Sequence, residues 1–180
     1  MGRGRLYLVR HARTAGNGVR YVGWGDEPLD EVGTQQAQAL ADELAGEPLD
    51  AVYSSPLRRA LDTARPLAER HRVPLRVREE LKEVHYGVYQ DRSKGATKLR
   101  LKRTHRFRRM PGGESLHDVF DRVHRVLAEI EPELSAGGHI AVVAHFWSLR
   151  MLFGHAAGLA FDDLLERGDY APANASVVRV

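Results

Sequence analysis

The chain is 180 residues long and 43% hydrophobic, enough for one globular domain that buries roughly 70% of the surface its unfolded chain exposes. It contains no Cys, which excludes disulfides, a thiol nucleophile and thiolate metal sites. A net charge of +3 and a pI near 9.4 favour anionic ligands without arguing for nucleic acid. No apolar run is long enough for a signal peptide or a bilayer span, so a cytoplasmic protein without membrane contact is expected.

Leu6–Val9 is an apolar run that reads as a strand buried on both faces, as in a parallel sheet, and it delivers Arg10 and His11 at its carboxyl end. In open α/β sheets ligands bind at that end, where a following helix also aims its free N–H groups. Residues 15–28 are rich in Gly and turn formers and read as a loop. Ala37, Leu40, Ala41 and Leu44 recur at helical spacing over Thr34–Leu44, and Gly46 and Pro48 stop that helix. Leu49–Tyr53 reads as a second strand. Ser55 before Pro56 is the usual cap and first-turn pair, which predicts a helix running to His71 with Arg58 and Arg59 in its first turns. Leu75–Val77 is a third strand, residues 79–90 are mixed, and 91–110 hold several basic residues with almost no acid.

Pro111, Gly112 and Gly113 break the chain. Ser115–Leu134 then places Leu116, Val119, Phe120, Val123, Val126, Leu127 and Ile130 on one face of a long helix. His139–Ala144 is the clearest strand and delivers His145 at its end, as the first strand delivers His11. Trp147–Leu159 reads as a helix and Ser176–Val180 as a final strand. The alternation predicts an α/β layer fold with a mostly parallel sheet, a single domain over 1–180.

Strand ends therefore present Arg10 with His11 and, separately, His145, while Arg59 sits on the helix after the second strand. Two guanidinium forks and two imidazoles suit a phosphoryl group, whose oxygens match planar paired donors. A neutral His within reach of phosphorus can form a phosphohistidine, dividing one displacement into two easier ones. Neighbouring Arg charges disfavour the imidazolium and hold the equatorial oxygens.

The chain resembles the histidine phosphatase superfamily, the group that includes cofactor-dependent phosphoglycerate mutases and many small phosphatases. The resemblance rests on Arg10, His11, Thr14 and Asn17, then Asp26, Pro28, Leu29, Gly33, Gln36 and Ala37. It continues through Ser54, Leu57, Arg59, Ala60, Thr63 and Ala64, then Leu81, Glu83 and Gly87, then Pro111, Gly113, Glu114 and Ser115, and ends on Val143, His145 and Arg150. It implies a three-layer α/β/α fold with helices on both faces of the sheet. It further implies His11 as nucleophile, Arg10, Arg59 and His145 as the phosphate cradle, Asn17 as a supporting contact, and Glu83 as general acid and then base. No metal or other cofactor is required. The activity implied is a metal-independent phosphatase acting on a small phosphorylated metabolite. A phosphomutase using the same pocket, for which the chain is short, and a phospho-ligand-binding pseudophosphatase are the alternatives.

The family's usual Gly after the nucleophile is Ala12 here, its Gly after the second His is Phe146, and Arg13 stands where many relatives carry an acid. Ala12 is free of strain only at negative φ. Phe146 either narrows the mouth and selects the leaving group, by stacking on a ring, or packs under the cap. Arg58, Arg65 and Arg70 read as a solvated helix face, and His117, Asp121 and His124 as a polar helix stripe rather than a metal set. A basic cap or lid is expected over about 84–113, and between Arg92 and Arg109 it carries Lys94, Lys98, Arg100, Lys102, Arg103, Arg106 and Arg108. That basic run is a lid for a substrate with a second anion or a solvated segment; a nucleic-acid footprint is disfavoured because only Phe107 supplies an interleaved aromatic. A homodimer is left open.

Overall fold

The computed structural model describes residues 4–166 and 170–180. Five strands form one sheet in the order β3-β2-β4-β1-β5: β1 (Arg5–Arg10), β2 (Ala51–Ser54), β3 (Leu75–Val77), β4 (His139–Ala144) and β5 (Val177–Arg179). The first four run parallel, with Leu6 opposite Ile140 and Ala51 opposite the same residue, whereas β5 closes the edge antiparallel to β1. The central strands β1, β2 and β4 are buried on both faces because alternate residues feed two separate cores. Leu6, Leu8, Tyr53, Ile140 and Val142 pack against α4 (Leu116–Ser135), α5 (Phe146–Ala156) and α6 (Phe161–Glu166). Tyr7, Val9, Val52, Ala141 and Val143 pack against α1 (Glu31–Glu43) and α2 (Arg58–His71). A sheet between two helical layers is the expected α/β/α architecture.

Local chemistry moves several helix boundaries from where periodicity puts them. Helix α1 starts at Glu31, three residues before Thr34, because Asp30 caps it by accepting from the Gly33 N–H at 2.7 Å. Gly33 also lies against the backbone of Arg13, where a Cβ would meet the Arg13 carbonyl at 2.0 Å. Ser55 does not cap α2. Leu57 occupies that position without a side-chain cap, and the Ser55 hydroxyl, which accepts from the Leu57 amide at 3.3 Å, meets His145 in the site. The cap read at Ser115 is present as a reciprocal capping box with Asp118. The helix expected over 147–159 stops at Ala156, where the amides of Ala157 and Gly158 bond back to Phe153 and His155; a further short helix, α6, follows that periodicity does not separate.

The 84–113 segment is mostly irregular, with a 3-10 turn at Gly87–Tyr89 and one short α-helix, α3 (Leu101–Thr104). Its Arg92–Lys94 stretch pairs with the loop after β1: the Tyr21 amide donates to the Arg92 carbonyl at 3.1 Å and the Lys94 amide to the Val19 carbonyl at 2.9 Å. Much of its basic character is spent on docking. Arg106 binds Asp162 and Glu166 at 3.1 and 2.6 Å, and the Lys102 ammonium donates to the Leu165 carbonyl at 2.7 Å. On α4 the polar stripe splits, His117 pairing with Asp121 at 3.1 Å while His124 faces the His155 ring. No helix among the described residues is long and apolar enough to cross a membrane.

Candidate active site

Neighbouring strands β2, β4 and β1 end side by side, so the residue after each falls in one row: Ser55, His145 and His11. The ladder extends one step past the strands, the His11 amide donating to Ala144 at 2.9 Å and the Ser55 amide to Val143 at 3.1 Å. Both imidazoles are thereby fixed on rigid backbone, with ring centroids 5.0 Å apart.

His11 is 3% exposed, and its Nδ1 lies 2.7 Å from the Ala12 carbonyl. A carbonyl can only accept, so Nδ1 carries the proton of the neutral ring, and Nε2, which makes no hydrogen bond with the described residues, keeps its lone pair. Burial and the nearby Arg59 and Arg10 charges push the His11 pKa well below the ordinary imidazole value. The main chain here is braced by Thr63, whose hydroxyl accepts from the Ala12 amide at 2.9 Å and donates to the Arg59 carbonyl at 2.7 Å. Ala12 has no positive φ, so its methyl is unstrained in place of glycine.

Arg10 donates to the Pro172 carbonyl at 2.7 Å, and its Nε is buried with no partner among the described residues. The guanidinium also lies over the Phe146 ring, 5.5 Å from its centroid. Phe146 is the first residue of α5 and lines the cleft, so the bulk that replaces the family's glycine serves as a wall supporting Arg10. Arg59, 2% exposed, donates to the carbonyls of Gly25 and Gly23 at 2.7 Å each. His145 is fully buried; its Nε2 meets the Ser55 hydroxyl at 2.8 Å and its Nδ1 has no partner among the described residues. Burial, then Arg59 and His11, hold its pKa well below the imidazole value.

Glu83 faces this group from outside the sheet. Oε1 accepts from the amides of Val84 and Trp147, both at 3.0 Å, while Oε2 has only a longer contact of 3.3 Å with Trp147. Burial raises its pKa above the usual carboxylate value, against the pull of those amides, Arg59 and Arg10. The loop that carries it is pinned by Arg122, which donates to the carbonyls of Glu80, Lys82 and Glu83 at 2.5, 2.7 and 2.8 Å and forms a paired bridge to Glu114. Glu114 in turn accepts from the His85 amide at 2.8 Å. Gly87, at φ 55°, lets this loop press on the Pro111–Gly113 turn; a Cβ there would meet the Pro111 carbonyl at 2.0 Å.

These residues share a cleft of about 630 Å³, lined also by Asn17, Tyr86, Lys94 and Asn174. All of the sequence-expected residues are brought together except that His145 stands behind the lining, fully buried. Sequence reasoning missed Ser55 in this role, Thr63 as a brace, Asn174 and Arg122. For Arg122 a signal existed: it interrupts the Val119, Val123 and Val126 stripe of α4 as a lone cation on a buried face. Among the described residues there is no cluster of three or more His, Asp or Glu side chains able to hold a metal ion.

Comparison with known proteins agrees with this geometry. Residues 6–180 match the sequence profile of the histidine phosphatase superfamily (branch 1). The chain is 33% identical over 182 residues to a phosphoserine phosphatase 1 of Hydrogenobacter thermophilus, covering 96% of this chain and 83% of that protein. It is 35% identical over 159 residues to a 2,3-bisphosphoglycerate-dependent phosphoglycerate mutase 2 of Gloeobacter violaceus, covering 82% and 73%. The solved structure of a mycobacterial glucosyl-3-phosphoglycerate phosphatase superposes with a TM-score of 0.86 at 31% identity, covering 99% of this chain and 90% of the other. The sheet topology, the paired imidazoles at its carboxyl edge and these relatives place the chain in the histidine phosphatase superfamily, to which it belongs.

Proposed function

We propose that the chain is a metal-independent phosphatase that hydrolyses a small phosphorylated metabolite through a phosphohistidine at Nε2 of His11. The observation that carries this reading is the commitment of His11 Nδ1 to the Ala12 carbonyl in a buried, cation-flanked setting, which leaves an unprotonated nitrogen as nucleophile. Arg10, Arg59 and Asn17 hold the phosphoryl oxygens. When Ser55 donates its hydroxyl to His145 Nε2, the proton of neutral His145 sits on Nδ1, a buried donor with no partner among the described residues and suited to a phosphoryl oxygen. His11 Nε2 attacks phosphorus as the ester P–O bond breaks, and the Glu83 carboxyl gives its proton to the leaving alkoxide. The resulting carboxylate then takes a proton from water, whose oxygen displaces the imidazole and releases inorganic phosphate. A carboxyl with a raised pKa and Oε2 free of strong donors supports both roles.

The test is phosphate release from p-nitrophenyl phosphate and a panel of sugar, glycerate, serine and nucleotide monoesters, with chelator present throughout. Turnover by the wild type, unaffected by chelator and absent in His11→Ala, is the expected result. Isomerisation of a phosphoglycerate without net phosphate release would instead identify a mutase. Ligand binding without any turnover would identify a pseudophosphatase.

A further inference from the structure

The segment before β5 reaches across the sheet edge into the site. Ala175 donates its amide to the Arg10 carbonyl at 3.1 Å and the His11 carbonyl at 3.3 Å, and Asn174 beside it lines the cleft. The amide of Asn174 spends its nitrogen on the His11 carbonyl at 2.9 Å and on Oδ1 of Asn17 at 3.0 Å, with a longer contact to the Ala12 carbonyl at 3.4 Å. Asn17 Oδ1 also accepts from the Thr14 amide at 2.8 Å.

The orientation of both side-chain amides follows from groups whose polarity cannot change. A main-chain carbonyl only accepts, so the Asn174 atom facing His11 is the NH2 group. A main-chain N–H only donates, so the Asn17 atom facing Thr14 is the oxygen. One proton of the Asn174 NH2 group then serves His11 and the other serves Asn17. The Asn17 oxygen is consumed twice, and its own NH2 group is the part left over for an anion in the cleft.

We infer that Asn174 is a positioning residue of the phosphate site: anchored on the His11 carbonyl, it locks the Asn17 amide with its NH2 group available to the phosphoryl oxygens. This deepens the functional reading above and rests on it for the role of Asn17. Without Asn174, Asn17 loses one of the two donors that hold its oxygen inward, and rotation of the amide would present an acceptor to an anion.

Orthovanadate binding, followed by calorimetry, tests this without relying on turnover, so a failure of catalysis and a failure of this inference stay separate. Asn174→Ala should weaken vanadate binding roughly tenfold while the melting temperature of the ligand-free protein stays close to wild type. In an Asn17→Ala background the same change should cost under about twofold, because the two residues act through one amide. Asn17→Asp is the second variant. Its carboxylate keeps both inward acceptor bonds but turns an oxygen toward the cleft, so it should fold normally and bind vanadate more weakly still. Wild-type vanadate affinity in Asn174→Ala, full multiplication of the two losses in the double variant, or undiminished binding in Asn17→Asp would each overturn the inference.

Discussion

The arginines of the cleft floor and those of its rim differ in what holds them. Arg10 and Arg59 are anchored by carbonyls, of Pro172 and of Gly23 and Gly25, which fix the guanidinium planes without cancelling their charge. Arg13 and Arg20 at the rim, and Arg106 and Arg109 in the 84–113 segment, are held by carboxylates: Asp30 at 2.9 Å, Glu27 at 2.6 Å, Glu166 at 2.6 Å and Asp118 at 2.8 Å. The number of basic residues is therefore a poor guide to where an anion binds. Cations held by neutral acceptors in a buried place keep their charge for a ligand, while exposed paired cations are largely neutralised and screened.

The sharpest way to break this contrast is at Arg59. Arg59→Lys keeps a charge but loses the fork that grips two carbonyls, and kcat/KM for a monoester should fall about a hundredfold. An unaltered rate would show that charge alone suffices on the floor. Glu83 comes next. Glu83→Gln should lower the rate on alkyl esters by about a hundredfold and on aryl esters far less, since a good leaving group needs little protonation. The pH profile carries the same signature. Because the His11 pKa is lowered, its neutral form survives acidification, and the acid limb of kcat/KM should lie below the ordinary imidazole value of 6.5. Because the Glu83 pKa is raised, its proton is lost only above the usual 4.5, and activity on alkyl esters should decline as pH rises through the raised value. Glu83→Gln should abolish that decline.

Phe146 is a smaller lever. Removing the ring under Arg10 in Phe146→Gly should raise KM roughly fivefold with kcat little changed, as loss of one cation–π contact allows. The smallest effect belongs to the carboxylate-held set. Arg106→Ala should leave kcat/KM within about twofold and cost at most about 1 kcal/mol of stability in a urea titration, the scale of an exposed ion pair. A large activity loss there would mean that Arg106 itself acts on the substrate.

The elements that place the two imidazoles were legible because β1 and β4 are unbroken apolar runs ending in His, a pattern that needs no tertiary information. Glu83 and Asn17 were found only through the resemblance, which also singled out Arg59 over Arg58, since one acid, one amide and one of two adjacent cations each have a bland local explanation. Ser55 was misread because Ser before Pro is a sound helix-start signal, and only the neighbouring β4 edge, 90 residues away, gives its hydroxyl a better partner. Asn174 had no local signal at all: its partners Asn17 and His11 lie 157 and 163 positions away. The cap segment was left open between a substrate lid and a solvated loop because the carboxylates that absorb Arg106 belong to α6, a helix the periodicity did not resolve. Contacts formed late in the chain and across the sheet are what a linear pattern cannot carry.

The central claim is that His11 Nε2 takes the phosphoryl group. The most direct test mixes the enzyme with excess monoester, quenches in alkali on a millisecond timescale and maps the modified peptide by mass spectrometry and phosphorus NMR. A single phosphoryl group on His11, bonded to Nε2, stable in alkali, lost in acid, and formed at least as fast as phosphate is released, is the expected result. Phosphate release with no phosphoprotein at any quench time, or a phosphoryl group on another residue, would contradict it.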